Sequence, residues 1–197
     1  MPSFGGLGSF EGDIRPSKRP GPWRCAIVCH IAPISVRSAT VGDIEAMALV
    51  HAAGWRQGFA GIVPPELTPS PEQLVERQRE RFADSSAGRA GAETEGELRG
   101  FCVFGPSRDE CGEPGIGEIY VLFVDPSAWR RGVGKALVDH VLAELGKRGF
   151  HSVTLWSAAE NARANTFYEQ LGFVHDGARQ AREEFGDVEE IRYRRTL

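Results

Sequence analysis

The sequence predicts an α/β (α+β) domain of seven strands and four helices, and three observations carry that expectation. Glu118-Ile119-Tyr120-Val121-Leu122-Phe123-Val124 is rich in β-branched and aromatic residues, and Asp125-Pro126 ends it as a strand. The segment beyond places Val133, Leu137, Val141 and Leu145 at four-residue spacing, the apolar face of a helix. On either side, short strand patterns and amphipathic helices follow in the order strand, two helices, three strands, helix, strand, helix, two strands.

The 197 residues suffice for one domain with a sizeable core, expected over residues 34–197, and no internal repeat marks a second. A formal net charge of −4 speaks against a nucleic-acid partner. No run approaches a membrane span. Cys25, Cys29, Cys102 and Cys111 show no disulfide-framework spacing, so a reducing cytoplasm is the expected setting. Residues 1–33 are rich in Gly, Pro, Ser and basic residues without periodicity, which predicts a disordered leader. Within it, Arg24 precedes the short apolar run Cys25 to Ala32, but His30 and Pro33 interrupt it and a signal peptide is rejected. Cys25, Cys29 and His30 lack a second ligand pair, so no metal is expected.

Ile34-Ser35-Val36-Arg37 alternates and opens the fold as a strand. Thr40 reads as an N-cap with Asp43 in the first turn, ahead of Ile44, Met47, Ala48, His51 and Trp55 at helical spacing. His51 on that face reads as a packed histidine. Gly58 to Pro65 is a loop with apolar content. Ser70-Pro71-Glu72-Gln73 joins a serine cap, a proline at the first helical position and a glutamine three residues on. Leu74, Val75 and Phe82 give that helix an apolar side, and Glu76, Arg77, Arg79, Glu80 and Arg81 read as its solvated face. Arg89 to Thr94 and Leu98 to Phe104 flank Glu95-Gly96 as a hairpin. A polar loop leads to the central strand and its helix, which Lys147, Arg148 and Gly149 close. His151 to Ser157 is a strand. Asn161 caps a helix with Ala164, Phe167, Tyr168 and Leu171 on one side, ended by Gly172. Phe173 onward is strand-like, Gly177 to Gly186 a charged loop, and Val188 to Arg195 the last strand.

The junction between the central strand and its helix is the chemically informative stretch. Gly132 and Gly134 fall in the first helical turn, where backbone N–H groups lack helical partners and absent side chains let an anion approach. Arg130, Arg131 and Lys135 add positive charge, which together describes a phosphate cradle at a helix N-terminus. The P-loop spacing is not met, and the third glycine of a dinucleotide-binding fingerprint is replaced by Leu137. On this stretch alone, a glycine turn with no ligand stands equally.

Trp129-Arg130-Arg131-Gly132-Val133-Gly134 resembles the acetyl-CoA-binding loop of the GNAT family of N-acetyltransferases, Gln/Arg-x-x-Gly-x-Gly/Ala, except that Trp129 takes the first place. Asn161-Ala162-Arg163-Ala164-Asn165-Thr166-Phe167-Tyr168-Glu169-Gln170-Leu171-Gly172-Phe173 is similar to the family's Asn-x-x-Ala-x-x-Phe-Tyr-x-x-x-Gly-Phe segment. The resemblance covers about residues 34–197. It implies the family's mixed, largely antiparallel seven-stranded sheet flanked by four helices, and acetyl-CoA as co-substrate without a metal.

By that resemblance the loop Arg130, Arg131, Gly132, Val133, Gly134 and Lys135 holds the pyrophosphate, mainly through main-chain N–H groups. Main-chain groups of Leu122, Phe123 and Val124 pair with pantetheine, and Asn161 binds pantetheine or a bridging water besides capping its helix. Glu118 stands where some family members carry a catalytic base, and equally reads as a strand-edge glutamate in contact with solvent or an arginine. Tyr168 matches the tyrosine that faces the CoA sulfur and can protonate the leaving thiolate. Trp55 and Phe59, with Arg56 and Gln57, border the acceptor side, where Trp55 and Phe59 equally read as a plug closing the core. Cys102 has no evident base partner and reads as a core thiol. The implied partner is a primary amine, of a small molecule or of a protein N-terminus or lysine, taken by direct attack in a ternary complex by a monomer or homodimer. A non-catalytic acyl-CoA-binding module is the alternative, though pure binding needs neither Glu118 nor Tyr168.

Overall fold

The computed structural model describes residues 33–109, 114–183 and 186–197. Along them the chain forms β1 (Ser35–Ser38), α1 (Ile44–Gly58), α2 (Pro71–Ala83), β2 (Gly88–Thr94), β3 (Glu97–Pro106), β4 (Ile116–Val124), α3 (Val133–Lys147), β5 (Ser152–Ala158), α4 (Ala162–Gln170), β6 (Val174–Arg182) and β7 (Val188–Thr196). Residues 1–32 of the expected leader, with Cys25, Cys29 and His30, lie outside the described residues, as does Cys111.

Local chemistry starts and stops these elements. The Thr40–Asp43 capping box opens a single 3₁₀ turn that feeds α1, so the cap acts one turn earlier than the α-helix itself. Ser70 accepts from Gln73 N–H at 3.2 Å while Gln73 accepts from Ser70 N–H at 2.8 Å, closing the box on α2. Glu95-Gly96 takes φ values of 56° and 79°, the left-handed pair of a two-residue hairpin.

The strands form one sheet in the order β1-β2-β3-β4-β5-β7-β6, antiparallel throughout except for β4 beside β5. Side chains alternate between its faces. Cys102 and Phe104 meet Val133, Leu137, Val141 and Leu145 of α3, while Phe101 and Val103 meet Met47 and Val50 of α1. Leu137 and Leu145 are fully buried, so truncating either to alanine costs about 2–5 kcal/mol.

Two irregularities open the sheet at its centre. Val103 pairs with Val121 but Phe104 pairs with Ile119, which leaves Tyr120 as the extra residue of a bulge. Tyr120 and Val121 therefore both join the α1 side, while Ile119 and Leu122 join the α3 side. The parallel pairing of β4 with β5 stops at Ile119↔Leu155. Beyond it β4 pairs only with β3, and Trp156 to Ala158 of β5 only with β7. The two strands splay, and the backbone of Tyr120 to Val124 has no strand on its β5 side.

One expectation is corrected. Gly177 to Arg182 is strand, not loop, because β7 supplies partners that a sequence window does not contain. Arg179 bonds Glu189 at 2.7 Å, Gln180 bonds Glu190 at 2.7 Å and Arg182 bonds Glu190 at 3.0 Å. β6 is the sheet's edge, where charged side chains discourage further pairing. No helix among the described residues is long and apolar enough to cross a membrane.

Candidate functional site

A large cavity follows the splay from the first turn of α3 to the α1–α2 pair. At the α3 end the loop leaves main-chain N–H groups without helical partners. Arg130 and Gly132 both take positive φ, 61° and 91°, and Gly132 caps the helix. The first helical bond runs from Ala136 N–H to Gly132 O at 2.9 Å, so the N–H groups of Val133, Gly134 and Lys135 have no acceptor within the helix. A Cβ on Gly134 would stand 3.1 Å from the Phe167 ring, so only glycine keeps this surface bare.

Arg130, Gly132, Gly134 and Lys135 line the cavity, as do Leu122, Phe123 and Val124 from the open edge of β4. Arg131 and Val133 do not; the Val133 side chain is buried under α3. Lys135 pairs along the helix with Asp139 at 2.6 Å. Trp129, the departure from the family's loop pattern, donates its indole N–H to Val124 O at 2.9 Å, and the Arg163 guanidinium lies 4.1 Å from its ring centroid. One carbonyl at the end of the β4 strip is thereby already engaged.

Asn161 faces the cavity and accepts from Ala164 N–H at 3.2 Å, as an N-cap does. One turn on, Asn165 accepts from Ser157 Oγ at 2.7 Å and donates to Ala158 O and Ala159 O. It fixes α4 against the end of β5 and so places Tyr168. The Tyr168 ring packs against Phe167 and Phe173 with centroids 5.3 and 6.0 Å away. Burial, and secondarily Cys102, pushes its phenol well above the usual range, so it keeps its proton at neutral pH. Cys102 is a buried core thiol, itself pushed up by burial.

Glu118 lies on the cavity wall although its residue is only 2% exposed. One oxygen accepts from Arg108 N–H at 2.8 Å and the other from Arg108 Nη2 at 2.6 Å, and the same guanidinium stacks 4.0 Å over Tyr120. The tether explains how a carboxylate stands buried there. Trp55 and Phe59 stack at 4.6 Å and, with Phe123, wall the far end. His51 packs 4.1 Å from Phe123, and its Nδ1 faces Gln78 Nε2 at 3.3 Å. Burial first, then the charges of Arg81 and Arg77, hold its pKa down at about 3, so it is neutral and a poor base.

The structure bears out the solvated face of α2 for Glu76, Arg77, Arg79 and Glu80, which are exposed, and corrects it for Arg81, which is half-buried. Arg77 and Arg81 line the cavity, and Arg81 Nη1 is buried. Sequence spacing treats them like Arg79, which pairs with Glu76 at the surface. Arg108 and Asn165 were likewise not singled out by sequence; only Asn165 lay inside a recognised motif.

The profile of the acetyltransferase (GNAT) family matches residues 45–173. A mycothiol acetyltransferase of Mycobacterium leprae is 34% identical over 145 residues, 68% of this chain and 44% of that protein. A Mycobacterium tuberculosis protein named a probable N-acetyltransferase is 31% identical over 152 residues, covering 73% of this chain and 82% of that one. The chain spans less than half the length of the mycothiol acetyltransferases it matches. Among solved structures, the PaiA N-acetyltransferase of Thermoplasma acidophilum in complex with coenzyme A superposes with a TM-score of 0.67 at 19% identity, over 84% of this chain and 99% of that one. A splayed β4–β5 pair, a glycine loop at its end and a profile match across most of the domain agree, and the chain belongs to the GNAT acetyltransferase family.

Proposed function

We propose that this protein transfers an acetyl group from acetyl-CoA to a primary amine, by direct attack with both substrates bound. The observation that carries this reading is the continuous wall from the bare α3 turn, along the unpaired edge of β4, to Glu118 on one side and Tyr168 on the other. The residues fit the co-substrate: the unbonded N–H groups of Val133, Gly134 and Lys135 suit a pyrophosphate, and the surface at Gly134 is one a Cβ would fill. Acetyl-CoA supplies the acetyl group as an activated thioester. The β4 edge at Leu122 and Phe123 offers main-chain groups to the pantetheine, with Asn161 beside it.

Glu118 takes the proton that the attacking amine loses. A carboxylate has roughly four acceptor sites; Arg108 leaves room for an ammonium or a water. Tyr168 Oη gives its proton to the sulfur as the carbon–sulfur bond breaks. N–H groups of β4 support the charge on the carbonyl oxygen. Trp55 and Phe59 shape the acceptor side.

Tyr168→Phe and Glu118→Gln test the two roles. Tyr168→Phe keeps the ring and is expected to lower kcat and kcat/KM together by about 10²-fold, with acetyl-CoA affinity little changed. Glu118→Gln is expected to recover as pH rises, because more of the amine is then already deprotonated. An amine panel that releases no CoA thiol, with acetyl-CoA bound and retained, would leave a binding module instead. Wild-type turnover in Tyr168→Phe, with chemistry rate-limiting, would remove Tyr168 from the mechanism.

A further inference from the structure

The loop after β3 spans the point where β4 and β5 part. The last β4–β5 pair is Ile119 with Leu155. Arg108 reaches Glu118 on β4, and the next residue, Asp109, reaches β5 and β7. The Asp109 carboxylate accepts from Trp156 Nε1 at 3.2 Å and from Arg192 Nη1 at 2.7 Å. Arg192 in turn donates through Nε to Asp176 at 2.8 Å. Strand register puts Glu118, Trp156 and Arg192 on one face of the sheet. Two consecutive residues thus strap three strands together beside the cavity. Glu118, Arg108 and Trp156 line that cavity, whereas Asp109 and Arg192 hold the strap from outside it.

Arg108 grips both oxygens of the Glu118 carboxylate. Oε1 accepts from Nη2 at 2.6 Å and from Nε at 3.3 Å; Oε2 accepts from the Arg108 main-chain N–H at 2.8 Å. Each carboxylate oxygen has roughly two acceptor sites, so Oε1 is filled and Oε2 keeps one. The guanidinium is itself held. It lies 4.0 Å over the Tyr120 ring, whose hydroxyl donates to Pro106 O at 2.6 Å. A Cβ on Gly105 would collide with that hydroxyl, so glycine makes the room for it. The other charges within electrostatic reach of this group are Arg81, Asp84 and Arg148. A freely rotating glutamate spreads its oxygens over several rotamers; this one is held at both.

We propose that Arg108 is a positioning residue for the transfer: anchored by Asp109, it aims Glu118 so that Oε2 receives the proton the attacking amine loses. This deepens the transfer reading and rests on Glu118 as its base. Misplacing a reacting group by about 1 Å costs on the order of 10²-fold in rate, so a fixed carboxylate matters to turnover. Asp109 and Arg192 touch no reacting atom and act only through where they hold Arg108.

The test uses the full chain with saturating acetyl-CoA. CoA release is followed for an alkylamine, a polyamine, an amino sugar and a peptide with a free N-terminus, and pH profiles are taken with the fastest. Arg108→Gln is expected to lower kcat/KM by about 10- to 100-fold. The acidic limb of its profile is expected at higher pH, because a carboxylate without its cation holds a proton more tightly. Acetyl-CoA affinity by calorimetry should stay as in the wild type. Arg108→Lys keeps the charge but not the two-nitrogen grip, and is expected to restore the limb but only part of the rate. In a Glu118→Gln background Arg108→Gln should add little, because its effect passes through the carboxylate. Asp109→Asn keeps an acceptor for Trp156 but loses the charge facing Arg192; it is expected to lower kcat/KM severalfold and serves if Arg108→Gln does not fold. Wild-type rates and profiles in both variants, faster turnover in Arg108→Gln, or an undiminished loss in the Glu118→Gln background would overturn the proposal. Wild-type turnover in Glu118→Gln itself would remove the base, and the proposal with it. With no CoA release from any amine the transfer reading falls, and carbon-13 titration of the labelled Glu118 carboxylate then decides the grip alone. A curve at higher pH in Arg108→Gln sustains it, and coincident curves overturn it.

Discussion

At the α3 end of the cavity the polar groups on offer are main-chain amides of one short loop; at the α2 end they are side chains from α2, β4 and the loop after β3. The first end depends on what is missing. Gly134 leaves space beside Phe167, Gly132 takes a φ of 91°, and three N–H groups are left without helical partners. The second end depends on what is gathered. Arg81, Arg77, Arg108 and Glu118 are spread over 42 positions of sequence, from 77 to 118, and meet only because α2 and β4 face one cavity. An anion shared by all substrates is suited to a backbone site, since amides do not vary with side-chain identity. A variable acceptor is suited to side chains, which do.

Three measurements sharpen or break this contrast. The largest effect is expected from Gly134→Glu, which sets a side chain against Phe167 and a negative charge in the cradle. Acetyl-CoA affinity should fall by at least about 100-fold, or roughly 2.7 kcal/mol. Undiminished affinity by calorimetry in a folded variant would mean that the loop is not where the pyrophosphate binds.

At the other end, His51 links the pocket to stability. Its proton is held near pH 6.5 in the unfolded chain but only near about 3 in the fold. Its contribution is fully present above pH 6.5 and is lost progressively as pH falls towards 3, with the unfolded state taking the extra proton. At pH 5 the loss is about 2 kcal/mol. His51→Met should flatten the change in unfolding free energy between pH 7 and pH 5 by that amount, measured by urea unfolding. An equally steep profile in the variant would show that His51 is not held neutral by Arg81, Arg77 and the core.

The smallest effect is expected from Trp129→Phe. It removes one indole bond to Val124 O and weakens the platform under Arg163. A single hydrogen bond contributes about 1 kcal/mol net, so acetyl-CoA affinity should fall by roughly fivefold or less. A loss as large as that of Gly134→Glu would show that side chains carry this end as well.

Most elements were legible because their signals are local. Ser70 and Gln73 lie three residues apart and close their box within one turn. Asn161 caps Ala164, and Glu95-Gly96 needs only its own φ values. The glycine loop and Tyr168 were legible for the same reason, each sitting in a contiguous motif. Glu118 could be singled out, but its guanidinium tether could not, because Arg108 lies in a loop whose path no pattern fixes. Arg81 could not be told from Arg79: both sit in one charged run, and which of them meets a cavity depends on what packs opposite.

The sequence by itself determined the order of strands and helices, their caps, and the bare glycine turn at the start of α3, since each follows from residues within a few positions of one another. Tertiary structure alone decided the rest. The bulge at Tyr120 arises from register against β3, and the splay from where β5 stops pairing. Gly177 to Arg182 became a strand because β7 lay beside it. Arg81 passed from a surface charge to a half-buried one on the cavity wall because α2 packs with α1 beside β4. Burial and strand pairing join residues far apart in the chain, and the energy of such contacts is absent from any single window of sequence.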